Sequence, residues 1–400
     1  MDFIKKKDYR FWILILFVFT LPNSIAINNI ASAIVIIYWL IWGDKKETLN
    51  LIKFNPIVSI AFLFFLIHII ALIWTEDLQW GVHIVGKEIK FLMLPILMSL
   101  IKKEEVPFLI NTFIVSMTLT EIISYLIWFE ILPPMFGANS YDPAPFMGHI
   151  PYNPFLAFTI YLLLHTLLFQ KDVSNIKKIY AFLFTITMSI NIFITGGRAG
   201  QVAFFVVIVL TVFQFYRKSL IKAISIILIL IPIIFTIAYN TSTIFHKRIN
   251  SAINNIKIIE QNPNTSVGLR IIYNINTLRI IAQHPIIGVG TGDFPKEYKN
   301  ISDKYSPNVT LADHPHNMYL LVWSQTGLIG IISLLTLLFL QIYIGFKKTS
   351  TYYRIQIILP IIFLVIMFSD DYLLGHYTTT LYVLFSSLLF KDVTWKSIKS

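Results

Sequence analysis

The 400-residue sequence contains no cysteine. Disulfide scaffolds, cysteine-based zinc sites and thiol nucleophiles are therefore excluded. Charge is scarce as well. Asp, Glu, Lys and Arg together make up 13%, about half the roughly 25% of a soluble domain. So few charges cannot cover the surface of a soluble chain this long, and disorder calls for the opposite composition, polar and highly charged. Fixed-period repeats are missing too. So are an HExxH zinc helix and a P-loop, and Gly288-Val289-Gly290-Thr291-Gly292 lacks the third-glycine spacing of a dinucleotide site.

Hydrophobic residues, by contrast, reach 56%, above the roughly 45–50% of soluble domains. An all-α polytopic membrane protein accounts for this excess, because lipid solvates apolar side chains and only segments that satisfy their own backbone can span it. Stretches of about 20 apolar residues predict spans near 9–25, 28–43, 57–75, 86–101, 106–131, 152–169, 178–195, 198–216, 220–240, 316–344, 354–372 and 376–390, about twelve in all. The first two are separated only by Pro22-Asn23, which leaves eleven open. Lys5, Lys6 and Lys7 precede an apolar run as in a signal peptide, but no small-x-small cleavage site follows, so the run is expected to be the first span.

The formal net charge of +11 does not imply nucleic acid, because its placement is topological. With the N-terminus inside, 21 of the 32 Lys and Arg residues fall in inner segments, as the positive-inside rule requires. The short outer loops carry Glu76, Asp77, Asp142, Asp370 and Asp371 instead. Both termini are therefore expected in the cytoplasm. Three parts follow: an N-terminal bundle of about nine helices (1–240), a long outer helical segment (241–313) and about three C-terminal helices (314–400). Within the outer segment, Val267, Ile271, Ile275, Leu278 and Ile281 predict an amphipathic helix over 265–283, stopped by Pro285.

Arg198 lies in the turn Thr195-Gly-Gly-Arg-Ala-Gly200 between two spans. It is either an arginine snorkelling at a helix start or an anion ligand whose guanidinium fork matches phosphate oxygens. Arg270 and Arg279 sit on the outer amphipathic helix, as surface charges or as partners for a diphosphate. His314-Pro-His316-Asn317, beside Asp313, marks where the chain re-enters the membrane. An imidazole there suits proton transfer near pH 7. His-Pro-His is a poor zinc pattern, and no metal is expected. Asp370 and Asp371, followed by His376, form a solvated turn, orient a histidine or bind a sugar. Lys87, Glu88 and Lys90 make an intrahelical ion pair or add anion contacts.

Together these residues resemble the O-antigen ligase / Wzy-C family. Its signature is His followed by Asn, Ser or Gln, nine residues, then Gly-x-x-Gly. Here that reads His316-Asn317, Met318–Thr326, Gly327-Leu-Ile-Gly330. An arginine after a glycine-rich turn in the membrane matches Arg198. A second arginine in the outer loop, upstream of a Gly-x-Gly stretch ending in Phe, matches Arg270 with Gly288, Gly290 and Phe294. The resemblance implies a GT-C-like fold, a bacterial inner-membrane location and a periplasmic active site. It implies a glycosyltransferase that needs no cofactor and no metal and inverts the anomeric centre. The donor would be an undecaprenyl-diphosphate-linked glycan. The acceptor would be lipid A–core for a ligase, or a growing glycan for a polymerase. On this reading His316 is the general base, Arg198 and Arg270 clamp the diphosphate, and His314, Asn317, Asp313, Asp370, Arg279, Lys87 and Lys90 are further contacts. A transporter for polyprenyl-linked sugars is the alternative from another class. Against it stand the apolar middles of the spans and the absence of an inverted repeat of broken helices.

Overall fold

The computed structural model describes residues 8–399, so Lys5, Lys6 and Lys7 of the charge pattern lie outside it. The described residues form helices and loops, without strands; two isolated bridges, Met135 with Ala138 and Asn139 with Asp142, shape the loop over 129–148. In chain order the helices are α1 (Tyr9–Thr20), α2 (Ile25–Trp42), α3 (Lys45–Phe54), α4 (Pro56–Ile70), α5 (Leu78–Glu88), α6 (Met93–Leu100), α7 (Val106–Trp128), α8 (His149–Phe169) and α9 (Asn175–Ile194). There follow α10 (Arg198–Phe215), α11 (Leu220–Thr241), α12 (Thr243–Lys257), α13 (Ser266–Gln283), α14 (Phe294–Tyr305), α15 (Met318–Lys347), α16 (Tyr353–Ile366), α17 (His376–Phe390) and α18 (Trp395–Lys399).

Eight of these segments are long and apolar enough to cross a membrane, the longest being α15 with 30 residues. Helices stand at all the expected positions, but four of the twelve fall short of a full span. Two are α1 and α16, with 12 and 14 residues. The span expected over 86–101 is instead α5, a 3-10 turn at Ile89–Leu92, and α6. Such a break is tolerated at membrane depth where the backbone is enclosed by protein, and Met93–Met98 are all buried. The fourth is α17, whose 15 residues are buried from Tyr377 to Phe390. A helix wrapped by protein needs less length than one bathed in lipid. The opposite extreme is α11, only 6% buried, which presents its leucines and isoleucines outward.

α8 is central, 72% buried, and packs against α9, α10 and α16. Its Pro154 falls in the second helical turn and removes the N–H that would reach the Ile150 carbonyl, which accepts from the Tyr372 hydroxyl at 3.4 Å instead. At one end of the bundle, Arg10 of α1 holds both carboxylate oxygens of Glu105 and the Leu100 carbonyl. Lys102 and Lys103 reach Asp8 and Asp392 at 3.5 Å each, so residues near both ends of the described chain meet there. The candidate site lies at the other end of the helices.

The amphipathic helix expected over 265–283 is α13, capped by the Thr265 hydroxyl, which accepts from the Gly268 N–H at 3.1 Å. Its inward face differs from the apolar stripe. Tyr273, Asn276, Thr277 and Ile280 are buried, whereas Ile271, Ile275 and Leu278 are exposed. Asn276 earns the inner place by donating to Ser306 Oγ (2.7 Å) and Tyr298 Oη (3.3 Å). An outward apolar stripe is what an element at a lipid interface shows.

Two glycine motifs interlock. α15 breaks at Gly327, with φ 65° and ψ −161°, a region open in practice only to glycine. Into the break fits the Ile286–Gly292 turn. Val289 N–H donates to Ser324 O (2.8 Å), Gly290 N–H to Gln325 O (3.0 Å), and Gln325 Nε2 to Thr291 O (2.6 Å). A Cβ on Gly327 would collide with the Ile286 carbonyl, and one on Gly288 with Gln325. Asp293 extends the clasp by accepting from the Glu76 and Asp77 N–H groups at 2.8–3.0 Å. Gly327→Ala is therefore expected to destabilise the protein by about 1–3 kcal/mol, read as a lower melting temperature in detergent. An unchanged melting temperature would show that the clasp is not structurally required.

Candidate active site

The turn that starts α10 is buckled onto the start of α8. Asn153 of α8 donates to the Gly197 and Ile192 carbonyls (3.1 and 3.2 Å) and accepts from the Thr195 hydroxyl (2.6 Å). Backbones approach so closely that a Cβ on Gly197 would strike the His149 carbonyl and one on Gly200 would strike Asn153. Glycine at these two places is thus required by the approach. From outside, Asp142 accepts from Gly196 N–H at 3.1 Å and pairs with His149 Nδ1. Burial works to raise the Asp142 pKa. The His149 and Gly196 hydrogen bonds and the charges of His149 and Arg248 outweigh it and hold this carboxyl below its usual value.

This scaffold places Arg198 at the first residue of α10, facing a pocket of about 130 Å³. Arg270 from α13 and Arg248 from α12 line the same pocket, together with His149, Asp370 and Tyr372. The three guanidinium groups are close enough for Arg248 and Arg270 to act on Arg198 electrostatically. None of the ion pairs among the described residues involves them. The Nε of Arg198 is buried without a hydrogen-bond acceptor. An unpaired buried donor is costly and calls for an explanation; here it belongs to a side chain that lines a pocket of positive charge suited to an anion.

Asp370 joins this pocket to His316, whose Nδ1 lies 3.1 Å from its Oδ1. His316 has φ 52°, uncommon for a residue with a side chain. That turn folds its ring against His314, with centroids 4.2 Å apart, and sets it nearly parallel to Tyr273 at 6.1 Å. With Asp370 accepting from Nδ1–H, Nε2 keeps its lone pair and can take a proton, as in carboxylate–imidazole pairs. Burial tends to raise Asp370. Hydrogen bonds from His316 and Asp371 and the His316 charge prevail, keeping it well below the usual carboxylate range. Asp371 goes the other way, pushed up to about 7 by burial and by sharing a hydrogen bond with charged Asp370. Burial, then the His316 charge, lower His314 against the pull of Asp370 and Asp313.

The remaining expected residues separate. Asn317 is a helix cap: its Oδ1 accepts from the Tyr319 and Leu320 N–H groups at 3.1 and 3.3 Å. Asp313 is exposed and reaches His314 through its charge. Arg279 does not line the arginine pocket. It donates to Asn276 Oδ1 at 2.6 Å and lies over the Tyr305 ring at 4.2 Å. Lys87 acts electrostatically on His314 and Asp371, Lys90 meets His376 Nδ1 at 2.9 Å, and Glu88 turns inward, 3.4 Å from His68. The residues that sequence reasoning missed are Arg248, Asp142, His149 and Tyr273. Arg248 was one of eight basic residues in the outer segment, and nothing local marks it out. Its place is set by α12, which the Ser242 hydroxyl caps (3.0 Å from Phe245 N) while donating to Phe193 O (2.6 Å).

The Arg198 turn, Arg270 and the His316 motif stand in the chain order on which the family resemblance rests. Residues 183–335 match the O-antigen ligase family model, Wzy_C. The match bears out the resemblance carried by His316-Asn317 and Gly327-x-x-Gly330. The matched residues include Arg198, Arg248, Arg270 and His316, while Asp370 lies beyond them. An uncharacterised protein of Haemophilus influenzae is 27% identical over 212 residues. That alignment covers 52% of this chain and 52% of the relative, so it spans about half the length of each.

Proposed function

We propose that this chain is a glycosyltransferase of the O-antigen ligase type. It moves a glycan from an undecaprenyl-diphosphate carrier to a hydroxyl of lipid A–core, at the periplasmic face of the bacterial inner membrane, with both termini cytoplasmic. The observation that carries the reading is the convergence of Arg198, Arg248 and Arg270 on one pocket bordered by the carboxylate that holds His316. Three unpaired guanidinium groups suit a diphosphate, whose oxygens accept their forked donors. The lipid part of the donor has a place as well. An apolar groove of about 640 Å³ between α9, α10 and α11 runs to Ile194 and Ser242, beside the Arg198 turn and the start of α12.

The step follows from these positions. His316 Nε2 takes the proton of the acceptor hydroxyl. The acceptor oxygen forms a bond to the anomeric carbon while the carbon–oxygen bond to the diphosphate breaks. The electron pair leaves on the diphosphate, where the arginines stabilise the growing charge. Attack opposite the leaving group inverts the centre. The charge is carried by arginines, so the step requires no metal. The bundle with its outer helices α12–α14 suits a GT-C-like arrangement of three parts, 1–240, 241–313 and 314–400.

The test is transfer by the purified chain in detergent, with lipid-diphosphate glycan and lipid A–core, with and without EDTA. Glycan on lipid A–core in both conditions is the expected result. Longer carrier-linked chains with nothing on lipid A would make the activity that of a polymerase. No transfer to either acceptor would overturn the proposal.

A further inference from the structure

We propose that His314, His316 and Asp370 form a binding site for a zinc-class divalent cation, and that filling it switches the transfer reaction off. Zinc holds imidazole nitrogen and carboxylate oxygen at about 2.0–2.1 Å in tetrahedral geometry, which sets ligand atoms about 3.3 Å apart. One ring nitrogen from each histidine and one Asp370 oxygen lie within 4.8 Å of one another. His316 Nδ1 is 3.1 Å and His314 Nδ1 3.8 Å from the same Asp370 Oδ1. Asp371 Oδ1 stands 3.5 Å from His314 Nδ1.

A second observation points to a ligand. His314 Nδ1 is buried and has no hydrogen-bond partner. Its nearest carboxylate oxygens are at tetrahedral-edge distance rather than at a hydrogen bond's 2.7–3.2 Å or so. A cation between the rings and the carboxylates would satisfy that nitrogen and neutralise the paired aspartates. The proline between the histidines does not keep them apart, because the positive φ of His316 folds its ring back onto His314. Lys87 opposes a cation here, as do the arginines that share a pocket with Asp370, so directed bonds from the ring nitrogens and the carboxylate, rather than net charge, hold the ion. Nitrogen and carboxylate ligands in a three-residue set favour zinc over magnesium or calcium, which prefer all-oxygen shells.

The consequence for transfer rests on the reading of His316 as base. A metal on Nδ1 leaves the ring proton on Nε2, and Nε2 can then no longer accept one. Binding itself is independent of that reading, so it is measured first, without donor. The full chain in detergent is titrated with Co2+, and the visible absorption of four-coordinate cobalt is followed, then displaced with Zn2+. Saturable binding of one ion is expected, weakened at least about tenfold in His314→Ala and in His314→Gln, but not in His284→Ala. Equal affinity in all variants, or no saturable signal, would overturn the site. In the transfer assay, the rate ratio with and without Zn2+ is expected to fall in the wild type and return on adding EDTA. It is expected to stay near unity in His314→Gln. Zinc bound at the cluster without slowing transfer would overturn the switch.

Discussion

Replacing His316 by alanine is expected to slow glycan transfer by about 10²–10⁴-fold, the range of general-base catalysis, while donor binding is kept. The expectation rests on placement. His316 is held by Asp370 at 3.1 Å and is kept in a left-handed backbone conformation at the mouth of α15. Asp370→Asn is expected to cost at least about 10²-fold through a misplaced ring proton, with the same donor affinity. Asp371→Asn should cost far less, because Asp371 makes no direct contact with the His316 ring in the pairing that orients it. Single-turnover rates at saturating donor, with donor affinity measured by filter binding, separate the cases. A His316→Ala rate within threefold or so of wild type, too little for a lost general base, would sink the assignment.

Removing one arginine from the pocket carries the second large effect. Arg198→Ala, Arg248→Ala and Arg270→Ala are each expected to lower the transfer rate by about 10²–10³-fold, as for loss of one transition-state donor. The lysine replacements should recover only part of this, since an ammonium is a point charge and lacks the fork. Arg248 is the informative member, because it matches no motif and enters only through the geometry of α12. Arg279→Ala is the control: Arg279 is engaged by Asn276 and Tyr305 outside the pocket, so its loss should affect melting temperature more than rate. Equal rates for Arg248→Ala and Arg279→Ala would remove Arg248 from the site.

Much of this molecule was legible in its residues, and the limits have physical causes. Composition and apolar run length are local properties, so the membrane class and the helix positions follow from the chain directly. Run length cannot tell a helix solvated by lipid from one enclosed by protein. For that reason α6 and α17 read as spans although they are short and wrapped. The period of α13 was readable, but its inward face was not, because Asn276 is buried by partners on α14 and the loop after it, more than 20 residues away.

The same division holds for the site. Arg198, Arg270, His316 and Asp370 were distinguishable by residue type, by neighbouring glycines or by position at a membrane boundary. Spacing along the chain could not bring them together, since they sit on α10, α13, the entrance to α15 and the turn before α17. Tertiary structure also turned Asn317 from a suspected contact into a helix cap and set Arg279 aside. It brought in Arg248, whose nearest relation to the others is through space. The sequence by itself determined the solvent of the fold, the helix periods and the chemical inventory, because each is encoded within a few turns of chain. Which charges face one another was decided only by tertiary packing, because electrostatics and hydrogen bonding depend on distances in space that no local pattern contains.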